Sequence, residues 1–264
     1  MTSRPLAFST LGCSGATVDE ICALARDSGA RGVELRVSDE EPIHFGLDAA
    51  QRAAVRSTFE QAGVSIICLA SYVRLGKAEL TDEECVTDLR AQLALARDLG
   101  AGGVRVFPAA GESTQTADER MIRRLTAVAD AFGSADVRLL LETHDSHRGG
   151  ADIARVLARV DHPAVGAIWD ILHTWLAGET PDVSARSLAP WLHHVQVKNV
   201  ASADDLTPRR LSTGVLPVSE VIAALDAIGY RGWLSLEWER RWHPAAEPLP
   251  AALADARAWL AAHT

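Results

Sequence analysis

Short apolar runs alternate with longer segments of helical period from one end of the chain to the other. The runs Leu6–Ser9, Gly32–Val37, Val64–Ala70, Gly103–Phe107, Val137–Glu142, Val165–Asp170, His194–Lys198 and Trp233–Glu237 read as strands. Runs this rich in Val, Ile and Leu suit strands covered on both faces, as in a parallel sheet. Helical spacing follows each run, at roughly 17–28, 48–62, 81–99, 116–133, 150–160, 182–192, 217–228 and 247–262. Eight strand–helix units predict a closed (β/α)8 TIM barrel.

Boundary signals agree with this pattern. Thr17 with Glu20, Thr81 with Glu84 and Thr116 with Glu119 have capping-box spacing, in which each side chain satisfies a free amide at a helix start. Gly29, Gly63, Gly100, Gly133 and Gly229 stand where a left-handed residue closes a helix. The peptides Ala23–Gly29 and Ala94–Gly100 are nearly identical, and each leads into a Gly–Val strand start. A recurring helix-to-strand joint explains the echo better than internal duplication does. No linker, low-complexity tract or composition break interrupts the chain, so residues 1–264 are expected to form a single TIM-barrel domain.

The polar residues break the strand pattern in phase. Residues two apart on a strand face the same side. Leu140, Glu142 and His144 therefore share a face, as do Ile168 and Asp170, and also His194, Gln196 and Lys198. Ser235, Glu237 and Glu239 form a fourth such set, and Glu34, Arg36 and Arg105 are inward by the same reasoning. Leu139, Leu141, Val195, Val197, Leu234, Leu236 and Trp238 lie on the opposite faces and suit packing against helices. A single carboxylate after an apolar run is ordinarily a solvated loop residue. Its recurrence at successive strand exits points to one site at the C-terminal mouth of the barrel, where this fold carries its chemistry.

Composition narrows the options. Apolar residues make up 48% of the 264, enough for a sizeable core. The net charge of −9 argues against a nucleic-acid or anionic-membrane surface. Cys13, Cys22, Cys68 and Cys85 are scattered without CxxC spacing, as reduced thiols of a cytoplasmic protein would be. No signal-peptide pattern follows Met1, and no run approaches the ~18 apolar residues that span a bilayer. The longest connection, Val200–Pro217, carries Arg209 and Arg210 and is expected to lie over the mouth as a lid.

Converging carboxylates in a partly dry cavity raise one another's pKa, and burial adds to the penalty. A divalent cation removes the conflict. Glu142, Asp170, Gln196 and Glu237 make an all-oxygen ligand set suited to Mn²⁺ or Mg²⁺, with Co²⁺ or Zn²⁺ as further options. Two open positions on an octahedral ion would chelate a ketone oxygen and a neighbouring hydroxyl.

The motifs Leu140–Leu141–Glu142–Thr143–His144, Trp169–Asp170–Ile171–Leu172–His173, His194–Val195–Gln196–Val197–Lys198–Asn199 and Ser235–Leu236–Glu237–Trp238–Glu239 resemble those of the xylose-isomerase-like TIM-barrel superfamily, the sugar phosphate isomerase/epimerase family. The resemblance runs along essentially the whole chain. It implies a metal held by Glu142, Asp170, Gln196 and Glu237. Members often carry His where this chain has Gln196, and the Gln form resembles the hydroxypyruvate-isomerase-like and 3-dehydroshikimate-dehydratase-like branches. The resemblance also implies a homo-oligomer, dimer or tetramer. A DNA-repair role of the endonuclease IV kind is disfavoured, because the chain lacks the His-rich ligand set and basic groove that role needs.

The function expected first is a metal-dependent isomerase or epimerase of a small sugar, sugar phosphate, polyol ketone or hydroxy-keto acid. Glu142 and Glu237 would move the proton through an enediolate. His144, His173, Lys198, Glu34, Arg105 and Glu239 are the candidate substrate contacts. A dehydratase of the 3-dehydroshikimate or inosose type is the alternative on the same residues, with His144 as general acid. A non-catalytic sugar-binding barrel is the third reading.

Overall fold

The computed structural model describes residues 4–132 and 136–263. Eight parallel strands close into a barrel in chain order: β1 (Leu6–Ser9), β2 (Gly32–Arg36), β3 (Ser65–Arg74), β4 (Gly103–Phe107), β5 (Arg138–Glu142), β6 (Val165–Asp170), β7 (Leu192–Val197) and β8 (Trp233–Leu236). The helices are α1 (Val18–Ser28), α2 (Ala49–Ala62), α3 (Asp82–Leu99), α4 (Gln115–Phe132), α5 (Gly150–Val160), α6 (Ile171–Leu176), α7 (Pro181–Leu188), α8 (Val218–Ala227) and α9 (Leu249–His263). No helix among the described residues is long and apolar enough to cross a membrane.

The boundary chemistry accounts for most of these ends. Thr17 and Thr81 form reciprocal capping boxes with Glu20 and Glu84, and Gly29, Gly63, Gly100 and Gly229 all take positive φ. Gly133 lies outside the described residues. The box expected at Thr116 does not form. Thr114, two residues earlier, takes the Ala117 amide at 3.2 Å, so α4 starts at Gln115 and Thr116 falls within its first turn. The helix expected over 182–192 ends at Leu188, ahead of Pro190, which has no amide to donate, and β7 begins at Leu192. One helix is new. Asp170 ends β6 and accepts the Leu172 amide at 2.8 Å, which starts α6 directly from the strand.

Alternation divides the core into two shells. Leu139, Leu141, Val195, Val197, Leu234, Leu236 and Trp238 pack outward in the large cluster between strands and helices. Ala7, Ile67, Cys68, Leu140 and Ile168 form a small inner cluster that plugs the barrel. Leu140 fills the axis because its neighbours have no side chains there: a Cβ on Gly103 would lie 2.5 Å from its Cδ1. The inward polar side chains stand on this plug. The register sets Asp170 beside Gln196 and Gln196 beside Ser235, with Lys198 and Glu237 each two residues further along at the mouth.

Candidate metal and substrate site

Five carboxylates, Glu34, Glu142, Asp170, Glu237 and Glu239, meet two fixed cations, Arg105 and Lys198, at the C-terminal mouth of the barrel. Glu34 is 0% and Glu142 1% exposed. Lys198 Nζ lies 2.8 Å from Asp170 Oδ2 and 2.9 Å from Glu239 Oε1, and also grips Glu237. Arg105 bridges the other side, with Nε 3.3 Å from Glu142 Oε2 and Nη1 3.8 Å from Glu237 Oε1. Its guanidinium lies over the Phe107 ring at 4.3 Å and donates to the Ser71 carbonyl at 3.1 Å.

The backbone holds these groups firmly. Thr143 Oγ1 donates to the Asp170 carbonyl at 3.1 Å and accepts the Asp170 amide at 2.9 Å, which locks the exits of β5 and β6 together. His144 and His147 pair antiparallel across a tight turn in which Asp145 takes φ +47°. That turn stacks the His144 ring 3.9 Å from His173 and 4.5 Å from Phe107, with His144 Nδ1 2.9 Å from Asp145. His173, on α6, points Nε2 at Asp170 Oδ2 from 3.7 Å.

Burial and neighbours sort the protonation states. Burial pushes the Glu237 and Glu142 carboxyls above the usual range, against the pull of Lys198 on the first and Arg105 on the second. Asp170 and Glu239 are also buried, but Lys198 outweighs that and holds both low. Burial works against the Lys198 ammonium, yet Asp170, Glu237 and Glu239 hold it well above its ordinary value. Burial takes His173 down to about 4, a neutral imidazole at working pH. His144 moves the other way: Asp145 and Glu142 raise it against burial.

Glu34 faces β7 across the barrel interior. Its Oε2 accepts from Gln196 Nε2 at 3.1 Å and lies 3.1 Å from His194 Nε2. Burial disfavours the charge, but His194, Ser235 and Arg105 prevail and hold Glu34 at about 2. Cys68 completes a group with Glu34 and His194 whose ligand atoms lie within 4.8 Å of one another. Burial keeps the Cys68 thiol protonated, and the group forms the floor of the site.

Three acceptor oxygens here have no hydrogen-bond partner: Glu34 Oε1, Glu142 Oε2 and Gln196 Oε1. Unsatisfied buried acceptors beside an excess of carboxylates are what a cation would relieve. The donor set is chiefly oxygen, which fits a hard divalent ion. Of the other sequence candidates, Arg36 turns to the rim, where it pairs with Glu41 at 2.6 Å and Tyr72 at 2.7 Å below Trp242. Arg210 pairs with Glu247 at 2.8 Å on the surface. Phe107, Tyr72 and Cys68 were not singled out from the sequence, because an aromatic or thiol inside an apolar run carries no phase signal of its own.

The model of the xylose isomerase-like TIM barrel matches residues 22–263. The chain belongs to that family. A curated relative, the 3-dehydroshikimate dehydratase of Bacillus anthracis, is 26% identical over 243 residues, covering 83% of this chain and 84% of that protein. Among solved structures, the IolI protein with a bound zinc atom superposes with a TM-score of 0.83 at 14% identity, covering 98% of this chain and 99% of the other. An L-ribulose 3-epimerase superposes at 0.79 with 18% identity, covering 99% and 94%. Such distant structural matches speak to the barrel. Proteins named as a dehydratase and as an epimerase thus share sequence or fold with this chain.

Proposed function

We propose that this chain is a divalent-metal-dependent dehydratase of a small hydroxylated keto acid of the 3-dehydroshikimate kind. The observation that carries the reading is Arg105. It is 5% exposed, lies between Glu142 and Glu237, and its Nε has no hydrogen-bond partner. Lys198 is already held by three carboxylates, so Arg105 is the cationic group with a donor left for a substrate carboxylate, which a neutral sugar does not require. The similarity to a 3-dehydroshikimate dehydratase supports the same choice.

Glu142, Asp170, Gln196 and Glu237 are the residues that would hold the metal. When bound, the ion supplies a Lewis acid that polarises the ketone and stabilises charge on its oxygen. Glu142, with its raised pKa and an Oε2 that accepts no hydrogen bond, takes the proton from the carbon alpha to the ketone. That C–H electron pair becomes the double bond of an enolate. The carbonyl then re-forms as the β C–O bond breaks, and His144 gives the departing oxygen its proton. One water leaves and no oxidant is needed. Lys198 remains an ammonium and balances the developing negative charge rather than acting as the base. Phe107 and Tyr72, facing Arg105 at 4.3 and 5.7 Å, restrict water on that side.

A second reading, the isomerase or epimerase, is favoured by Glu142 and Glu237 standing on either side of Arg105, both buried and both with raised pKa. One experiment separates the two. With Mn²⁺ in D₂O, 3-dehydroshikimate is expected to yield an ultraviolet-absorbing aromatic dihydroxy acid. Inertness toward it, with solvent deuterium entering a ketose at the carbon alpha to its carbonyl, would establish the isomerase instead. Ligand-induced stabilisation without turnover of either would indicate a binding barrel.

A further inference from the structure

Gln196 differs from a carboxylate or imidazole ligand in one respect. Its two ends have opposite polarity, so a half-turn of the amide replaces an acceptor with a donor that repels a cation. Something must fix the half-turn. Gln196 is fully buried, and its Nε2 faces two carboxylate oxygens, Glu34 Oε2 at 3.1 Å and Glu237 Oε1 at 3.5 Å. The reversed amide would set oxygen against oxygen at those distances. In the observed orientation Oε1 is left without a hydrogen-bond partner. Glu237 reaches the amide at a longer distance and is itself gripped by Lys198. Glu34 therefore dominates the orientation, and His194 Nε2 lies 3.1 Å from its Oε2.

We infer that Glu34 is a positioning residue: it holds the Gln196 amide with its oxygen toward the metal position. The inference rests on the metal-site reading given above. Glu34 touches neither substrate nor reacting atoms; it acts through Gln196. The pair also has a reciprocal form. With Glu34→Gln and Gln196→Glu together, the amide at 34 donates to a carboxylate at 196, and the total charge is unchanged.

The test is Mn²⁺ affinity, read from the free-ion paramagnetic resonance signal without turnover, on metal-stripped protein. Wild type is expected to bind and Gln196→Ala to bind weakly. If wild type does not bind, or Gln196→Ala binds as well, the metal-site reading itself fails. Given that reading, Glu34→Gln is expected to lose roughly 10–100-fold in affinity. The double exchange is expected to recover most of that loss, which a merely structural role for Glu34 would not produce. Unchanged affinity in Glu34→Gln, or no recovery in a folded double variant, overturns the proposal. Should Glu34→Gln fail to fold, Glu34→Asp retains the charge but withdraws it from the amide. A severalfold loss then supports the inference, and wild-type affinity sinks it.

Discussion

Lys198 Nζ lies 2.8 Å from Asp170 Oδ2, across the exits of two neighbouring strands, and both side chains are buried. The pair has a consequence for stability. Lys198 and Arg105 offset much of the carboxylate charge, so the protein is expected to stay folded when stripped of metal. Replacing Lys198 by Met leaves Asp170, Glu237 and Glu239 without that cation. Breaking a buried pair this way costs about 3–5 kcal/mol, or on the order of 6–15 °C for a chain of this size. Thermal melts in chelator should show the loss, and added Mn²⁺ should restore part of it.

Glu142→Gln removes the proposed base while keeping its shape. Turnover is expected to fall by about 10²–10⁴-fold. Solvent exchange at the carbon alpha to the ketone, followed by NMR in D₂O, should fall with it. Exchange at the wild-type rate would remove Glu142 from the base role.

A second buried carboxylate gives a prediction away from the site. Asp118 accepts from Arg155 at 2.6 Å and meets His147 Nε2 at 2.9 Å. Burial raises its pKa, but Arg155 and His147 outweigh burial and hold it below the ordinary 3.8. A lowered folded pKa stabilises the protein above the unfolded value and stops doing so as pH falls through the folded one. Asp118 should therefore contribute fully above about pH 4. Arg155 is 44% exposed, which screens the pair. Asp118→Asn is expected to lose about 1–2 kcal/mol at neutral pH. Its stability should then decline less steeply than that of wild type as pH falls below about 4, as measured by urea titration at each pH.

The 200–217 connection is pinned from within. Asn199 donates Nδ2 to the Leu211 carbonyl at 3.2 Å, and its Oδ1 accepts the Val200 and Leu216 amides at 3.0 and 2.8 Å. Gly214 passes so close that a Cβ there would lie 2.0 Å from Asn199 Oδ1. Gly214→Ala should cost about 1–3 kcal/mol, and the loop should become a preferred site of limited proteolysis. An unchanged melt and cleavage pattern would show that the loop does not depend on this contact.

Residue pattern alone determined the barrel. Runs covered on both faces, strict alternation and self-contained caps are local signals, and physics within one strand or one turn fixes their outcome. Alternation also placed Leu140 inward and Leu139 outward, as the two clusters confirm. The Thr116 box was misread because two threonines near the start of α4 can each cap it, and only the folded turn chooses between them. Tertiary structure alone decided who meets whom across the barrel. Glu34 and Gln196 are 162 positions apart, and nothing local links them until closure brings β2 and β7 to one interior level. Charge pairing followed the same rule. Arg36 and Arg105 lie on strands of similar pattern, yet one reaches Glu41 at the rim and the other reaches Glu142 inside. A side chain's partner depends on the register and tilt of the closed sheet, which no single segment encodes.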